Sequence, residues 1–235
     1  MTAADGPAPL DEVFECTFEF QPGWVDLTLR DGTRAEAEVL ATEVMNRLEP
    51  FSLKIEKSAV IDDMVERAVD LNDDVPTLAA AYYSGTGEAL ATLMVDSYGD
   101  EGVPRPGPEE VVPLLLQWGN AEITGAPRTT HLELPAGPAV RIQAMLKVKR
   151  MLGFGRKLTE FIKYAVFPPG MESLIVVTVT WEKIALTEQI TDLADEAVRT
   201  MRITPLSTGG ASTPAWGETT GGGSGHVGGE WVSDV

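Results

Sequence analysis

The stretch Leu174-Ile-Val-Val-Thr-Val-Thr-Trp181 constrains this chain more than any other. It is apolar or β-branched on both alternating faces, which predicts a strand covered on both sides and therefore central in its sheet. Thr159 to Phe167 reads as a second strand, joined to the first through Pro168-Pro169-Gly170. Beyond Trp181, residues Ile190, Leu193, Ala194, Ala197, Val198 and Met201 recur at helical spacing and can cover one sheet face. This strand–turn–strand–helix unit predicts the sheet and one of its layers.

The preceding chain supplies the remaining strands and a second layer. Phe14, Cys16, Phe18 and Phe20 alternate with Glu15, Thr17 and Glu19, the period of a half-buried strand. Gln21-Pro22-Gly23 is read as the turn that carries it into Trp24 to Leu29. Thr33 and Glu36 form a capping box for a helix that buries Ala37, Leu40, Ala41, Val44, Met45 and Leu48 and stops before Pro50. A second helix, Ser58 to Leu71, buries Ile61, Met64, Val65, Ala68 and Leu71. Its Asp62, Asp63, Glu66 and Asp70 read as a solvated face, because the set lacks histidine and the EF-hand spacing. Strands Thr77 to Tyr83 and Ala89 to Val95 follow, linked by Ser84-Gly-Thr-Gly-Glu88; no helix opens there, so Gly85-Thr-Gly87 is not a dinucleotide loop.

Pro108 opens a third helix, short or kinked at Pro113 and closed by Trp118-Gly119. The chain is expected to turn β again from His131. Val140, Ile142, Ala144, Leu146 and Val148 alternate with Arg141, Gln143, Met145, Lys147 and Lys149, and the turn Met151 to Lys157 leads into Thr159.

Composition divides the chain into a leader (1–12), one domain (13–204) and a Gly/Ser/Thr-rich acidic tail (205–235) without Lys or Arg, read as disordered. The single cysteine, Cys16, predicts a buried, inert thiol. A net charge of −18 argues against nucleic acid as a partner. No secretory signal and no long apolar span is visible, which places the protein in the cytoplasm as an expectation.

Several phrases resemble the PsbP-like family, which includes the photosystem subunit PsbP and the Mog-type Ran-binding factors, and a bacterial member is the form expected. They are Phe18-Glu-Phe-Gln-Pro-Gly-Trp24, the Ala/Tyr-rich hairpin, Leu134-Pro-Ala-Gly-Pro-Ala-Val-Arg141 and the closing strand, strand, helix unit. The resemblance covers about residues 14 to 203. It implies an α+β fold, an α/β/α sandwich around a central antiparallel sheet, and a family whose members mostly bind other proteins. Neither the photosystem role nor Ran binding transfers, since no partner-contacting residue matches.

No catalytic, metal or cofactor signature emerges. His131 and His226 lack metal-spaced partners, and the glycine-rich surroundings of Ser224 and His226 provide no frame for a nucleophile. The charge distribution is the exception. Arg141, Lys147, Lys149, Arg150, Arg156, Lys157 and Lys163 are opposed in that segment by Glu160 alone, leaving it at +6 and the rest of the −18 chain at −24. Met151, Leu152 and Phe154 sit at the turn. The 147–163 hairpin has two readings: its cations neutralise the acidic helices nearby while the tip folds back on the domain, or it is a docking finger with partner-binding residues Lys147, Lys149, Arg150, Met151, Leu152, Phe154, Arg156, Lys157 and Lys163, facing an acidic protein surface. The expected function is a non-enzymatic protein-binding module without cofactors. Peripheral membrane association through the same tip is the alternative, and an enzyme with an unrecognised site the further one.

Overall fold

In the computed structural model, which describes residues 14–47, 53–99, 103–119, 121–149 and 156–206, the apolar strand Leu174–Trp181 (β8) is the fourth of seven strands. The sheet is antiparallel throughout, in the order β2-β3-β4-β8-β7-β6-β5. Its other members are β2 (Trp24–Asp26), β3 (Leu78–Tyr83), β4 (Ala89–Tyr98), β5 (Ala121–Leu134), β6 (Gly137–Lys149) and β7 (Arg156–Val166). A separate two-stranded ladder pairs β1 (Phe14–Thr17) with β9 (Arg202–Pro205).

Helix α4 (Thr187–Thr200) covers one face. Its buried Ile190, Ala194 and Val198 meet Leu93, Val95, Ile162, Tyr164, Val177, Val179 and Trp181. Phe14, Cys16 and Ile203 of the small ladder pack against the same cluster and extend that cover. Full burial of side chains of this size contributes about 1.5–3 kcal/mol each.

The opposite face is covered in two separated pieces. Helices α1 (Arg34–Arg47) and α2 (Lys57–Leu71) pack over Val25, Ala81 and Tyr83 at the β2–β3 end. Helix α3 (Pro108–Leu115) packs over Ile142, Ala144, Leu146, Phe161 and Val176 on β6, β7 and β8. The fold is mixed α/β, with four helices and a seven-stranded antiparallel sheet among the described residues.

The strands on either side of the Gln21–Gly23 turn join different sheets: β1 pairs with β9 and β2 with β3. The aromatic rings of Phe18, Phe20, Trp24 and Tyr82 form a column across the turn at centroid separations of 5.2–5.6 Å. Strand β5 begins at Ala121, ten residues before His131; its exposed, polar run carries no apolar alternation to announce it. The third helix ends at Leu115, so Trp118 lies beyond it. Finally, β9 extends to Pro205, which pairs with Phe14, so residue 205 belongs to a strand and not to the tail. The leader through Val13 and residues 207–235 lie outside the described residues.

Two glycines from the family-like phrases hold tight approaches. Gly23 (φ 105°) would place a Cβ 2.6 Å from the Tyr82 ring, and Gly137 (φ 135°) would place one 2.5 Å from the Phe167 carbonyl oxygen. Both positions need the left-handed backbone and the missing side chain.

Candidate functional site

The site follows from the gap between the two helical pieces. Along β4, Leu93 and Val95 point to α4, while Thr92, Met94 and Asp96 alternate to the other side. Register aligns Thr92 with Thr180, and Met94 with Thr178, which is itself opposite Lys163. A half-buried polar strip therefore crosses the centre of the sheet, between α2 and α3. The Thr92 and Thr180 hydroxyls are 2.8 Å apart, and Lys163 Nζ lies 4.2 Å from the centre of the Trp118 ring.

At the α3 end the groove deepens into a cavity of about 460 Å³ between Tyr98, the Val103–Pro106 loop, α3 and the floor residues Lys163, Leu174 and Val176. Arg105 Nη1 donates to the Pro168 carbonyl at 2.9 Å, and the guanidinium lies over Phe167 at 5.5 Å. A shallower depression of about 440 Å³ beside it is lined by Asp74, Val75, Thr77, Met94 and Asp96. There Val75, 85% exposed, sits at φ 50°, strained for a β-branched residue. A third depression, near Arg67, Thr92, Thr159 and Thr180, is flanked by the ion pairs Lys183–Glu88 and Lys157–Glu182.

Burial lowers the pKa of Lys163, and Asp96 opposes that shift. Burial and then the nearby Asp74 raise Asp96, with Lys163 working the other way. Tyr98 is raised by burial first and by Asp96 and Asp74 next. The strip thus holds a cation on β7 and a carboxylate on β4, the two strands that flank β8, each partly stripped of water. The Trp118 indole N–H is buried without an acceptor among the described residues.

The basic residues of the 141–163 segment do not form one collar. Arg141 is buried under α4, with Nε 2.9 Å from Asp195 Oδ1. Lys147 falls on the same face by alternation, whereas Lys157 and Lys163 fall on the groove face. Lys157 is already paired with Glu182. Lys149 and Arg156 are placed as opposite residues on β6 and β7. Arg150, Met151, Leu152 and Phe154, the finger tip, lie outside the described residues. Pleating explains the split, since residues of unlike parity along one strand cannot share a face.

The α2 acids are also not uniformly solvated: Asp63 pairs with Arg67 at 2.8 Å and accepts the Tyr83 hydroxyl at 2.7 Å. His131 is an exposed β5 residue 3.7 Å from Glu109. Cys16 is half-buried, its thiol pushed up to about 12 by burial. Among the described residues no group of three or more His, Cys, Asp or Glu could hold a metal ion, and no helix is long and apolar enough to cross a membrane.

Sequence reasoning missed Arg105, Asp96, Trp118 and the threonine strip. The signal was present: Thr178 and Thr180 recur on one face of an otherwise apolar strand, and Thr92 and Asp96 do so on β4. Polar residues on one face of a central strand mark the side that no layer closes.

Neither a family model nor a curated protein sequence matches the chain. Among solved structures, it is similar to LpqN of Mycobacterium tuberculosis, a protein described as involved in cell envelope biogenesis. The match has a TM-score of 0.43 at 12% identity and covers 83% of this chain and 86% of that one.

Proposed function

We propose that the protein is a non-enzymatic binding module whose protein partner lies along the open strip of the sheet and reaches the basic β6–β7 hairpin. One observation carries this reading: the central strands, covered on the α4 face, leave a half-buried row of Thr92, Thr180, Met94, Thr178 and Lys163 unroofed on the other. The groups there are those of recognition, namely hydroxyls, one ammonium, one carboxylate and an aromatic face. The order of elements that resembles PsbP-like proteins supports the same reading. Lys157 and Lys163, on the groove face, suit an acidic partner surface, with attraction that weakens as salt rises.

Affinity capture with the full chain, followed by binding kinetics on the captured partner, tests the proposal. Thr180→Arg fills the strip and is expected to lower affinity by about tenfold or more while the melting temperature holds. Reversing Lys157 to Glu is expected to slow association chiefly at low salt. A partner that binds both variants as tightly as the parent chain sinks the proposal.

A further inference from the structure

We propose that the α3 end of the groove binds a small organic carboxylate with an apolar body, an inference that goes beyond the protein docking described above. The cavity of about 460 Å³ is the right size. Small-molecule sites run at roughly 300–1,000 Å³. At about 30 Å³ for each water-sized unit, this one accepts on the order of fifteen non-hydrogen atoms.

The walls supply the apolar half of the recognition. Leu174, Val176 and Val111 form buried surface inside the cavity. Tyr98, Val103 and Leu114, respectively 54%, 56% and 51% exposed, gather at its rim. Three large, exposed apolar side chains from three separate segments, converging on one opening, make a patch whose natural completion is an apolar ligand.

The charges supply the other half. Among the described residues, the charged side chains that line this cavity are Arg105 and Lys163, both cations, in a chain of net charge −18. Neither is in an ion pair with a carboxylate of the described residues: Arg105 is held by backbone carbonyls and Phe167, and Lys163 rests on Trp118. Asp74 and Asp96 line the adjacent depression, where they repel an anion and leave the Arg105–Lys163 end as its place. A carboxylate set there replaces the hydration that Lys163 loses on burial and gains charge-assisted hydrogen bonds. A neutral amphiphile leaves both cations unmatched, and a bare inorganic anion leaves the apolar walls unused.

Titration calorimetry of the full chain with decanoate at neutral pH, below its micelle concentration, tests this, with decan-1-ol as the neutral isostere. One-to-one binding is expected, weakened by about tenfold for the alcohol, for Lys163→Met and for Arg105→Gln. Lys163→Arg is expected to keep most of the affinity. Arg105 stands in a loop, so its variant remains informative if the Lys163 variants fail to fold. Leu114→Asp, on the rim, is expected to abolish binding. Equal affinity for decanoate and decanol, indifference to both charge substitutions in folded protein, or no heat up to about 1 mM decanoate overturns the proposal. Partner capture is read separately, so either result stands without the other.

Discussion

The two faces of the sheet carry near-matching trios of side chains with opposite fates. Under α4, Arg141, Asp195 and Tyr164 close on one another: Arg141 Nε and the Tyr164 hydroxyl both donate to Asp195 Oδ1, and the guanidinium lies 5.9 Å from the Tyr164 ring centre. On the open face, Lys163 of β7 and Asp96 and Tyr98 of β4 form no such bonded set among the described residues. Burial opposes the charge of both cations. For Arg141, Tyr164 and Asp195 outweigh that cost and its pKa rises; for Lys163 Asp96 does not, and its pKa falls. Burial raises Tyr164, and Asp195 adds to it. The Arg141 cation is thus held by bonded partners, whereas the Lys163 ammonium rests on the Trp118 ring.

If the α4 face carries the stability, damage there must cost the most. Trp181 is 2% exposed, and its indole N–H donates to Glu160 Oε2 at 3.1 Å and shares Thr187. Trp181→Ala is expected to cost about 3–5 kcal/mol in chemical denaturation, with a correspondingly lower melting temperature. An unchanged midpoint would break the comparison at once.

Opening the closed trio should come next. Asp195→Ala leaves the Arg141 cation and the Tyr164 hydroxyl without their acceptor, and a loss of about 2–3 kcal/mol is expected, less than for a fully enclosed pair because Asp195 is partly exposed. Gln143, which bonds Arg141 Nη2 at 3.2 Å, is the neighbour positioned to soften that loss.

On the groove face the expected signs reverse. Val75→Asn relieves a left-handed β-branched residue and should stabilise by about 1 kcal/mol, read as a higher midpoint of denaturation. A loss of stability would mean that the Val75 side chain contributes packing which its exposure hides.

The smallest effect concerns Asp96. Its folded pKa is raised, so the charged form is disfavoured in the native state and its cost is present above that pKa and absent below the unfolded value. Asp96→Asn is therefore expected to raise the melting temperature slightly at neutral pH. The gain should vanish as the pH falls through the carboxylate range, where Asp96 is protonated in both states. A gain independent of pH would point to packing, and a loss would mean that Asp96 and Lys163 are coupled more tightly than their positions suggest.

Local pattern determined much of this molecule. The two-sided apolarity of Leu174–Trp181 made it central, and the Ile190, Ala194, Ala197 and Val198 stripe named the covering helix. Helices α1 and α2, the hairpin between β3 and β4 and the pairing of β6 with β7 were legible for the same reason: their periods are local. Tertiary structure alone decided the rest. Nothing in Phe14–Thr17 specifies that its partner is Arg202–Pro205, because pairing across the whole chain leaves no local mark. Linear charge counting gathered Arg141, Lys147, Lys157 and Lys163 into one patch; the pleat dealt them to two faces, and α4 buried the first of them. The groove exists because α1–α2 and α3 cover the sheet from opposite ends and do not meet, so its residues, Arg105, Asp96, Trp118 and Lys163, become neighbours only when distant segments pack against one sheet.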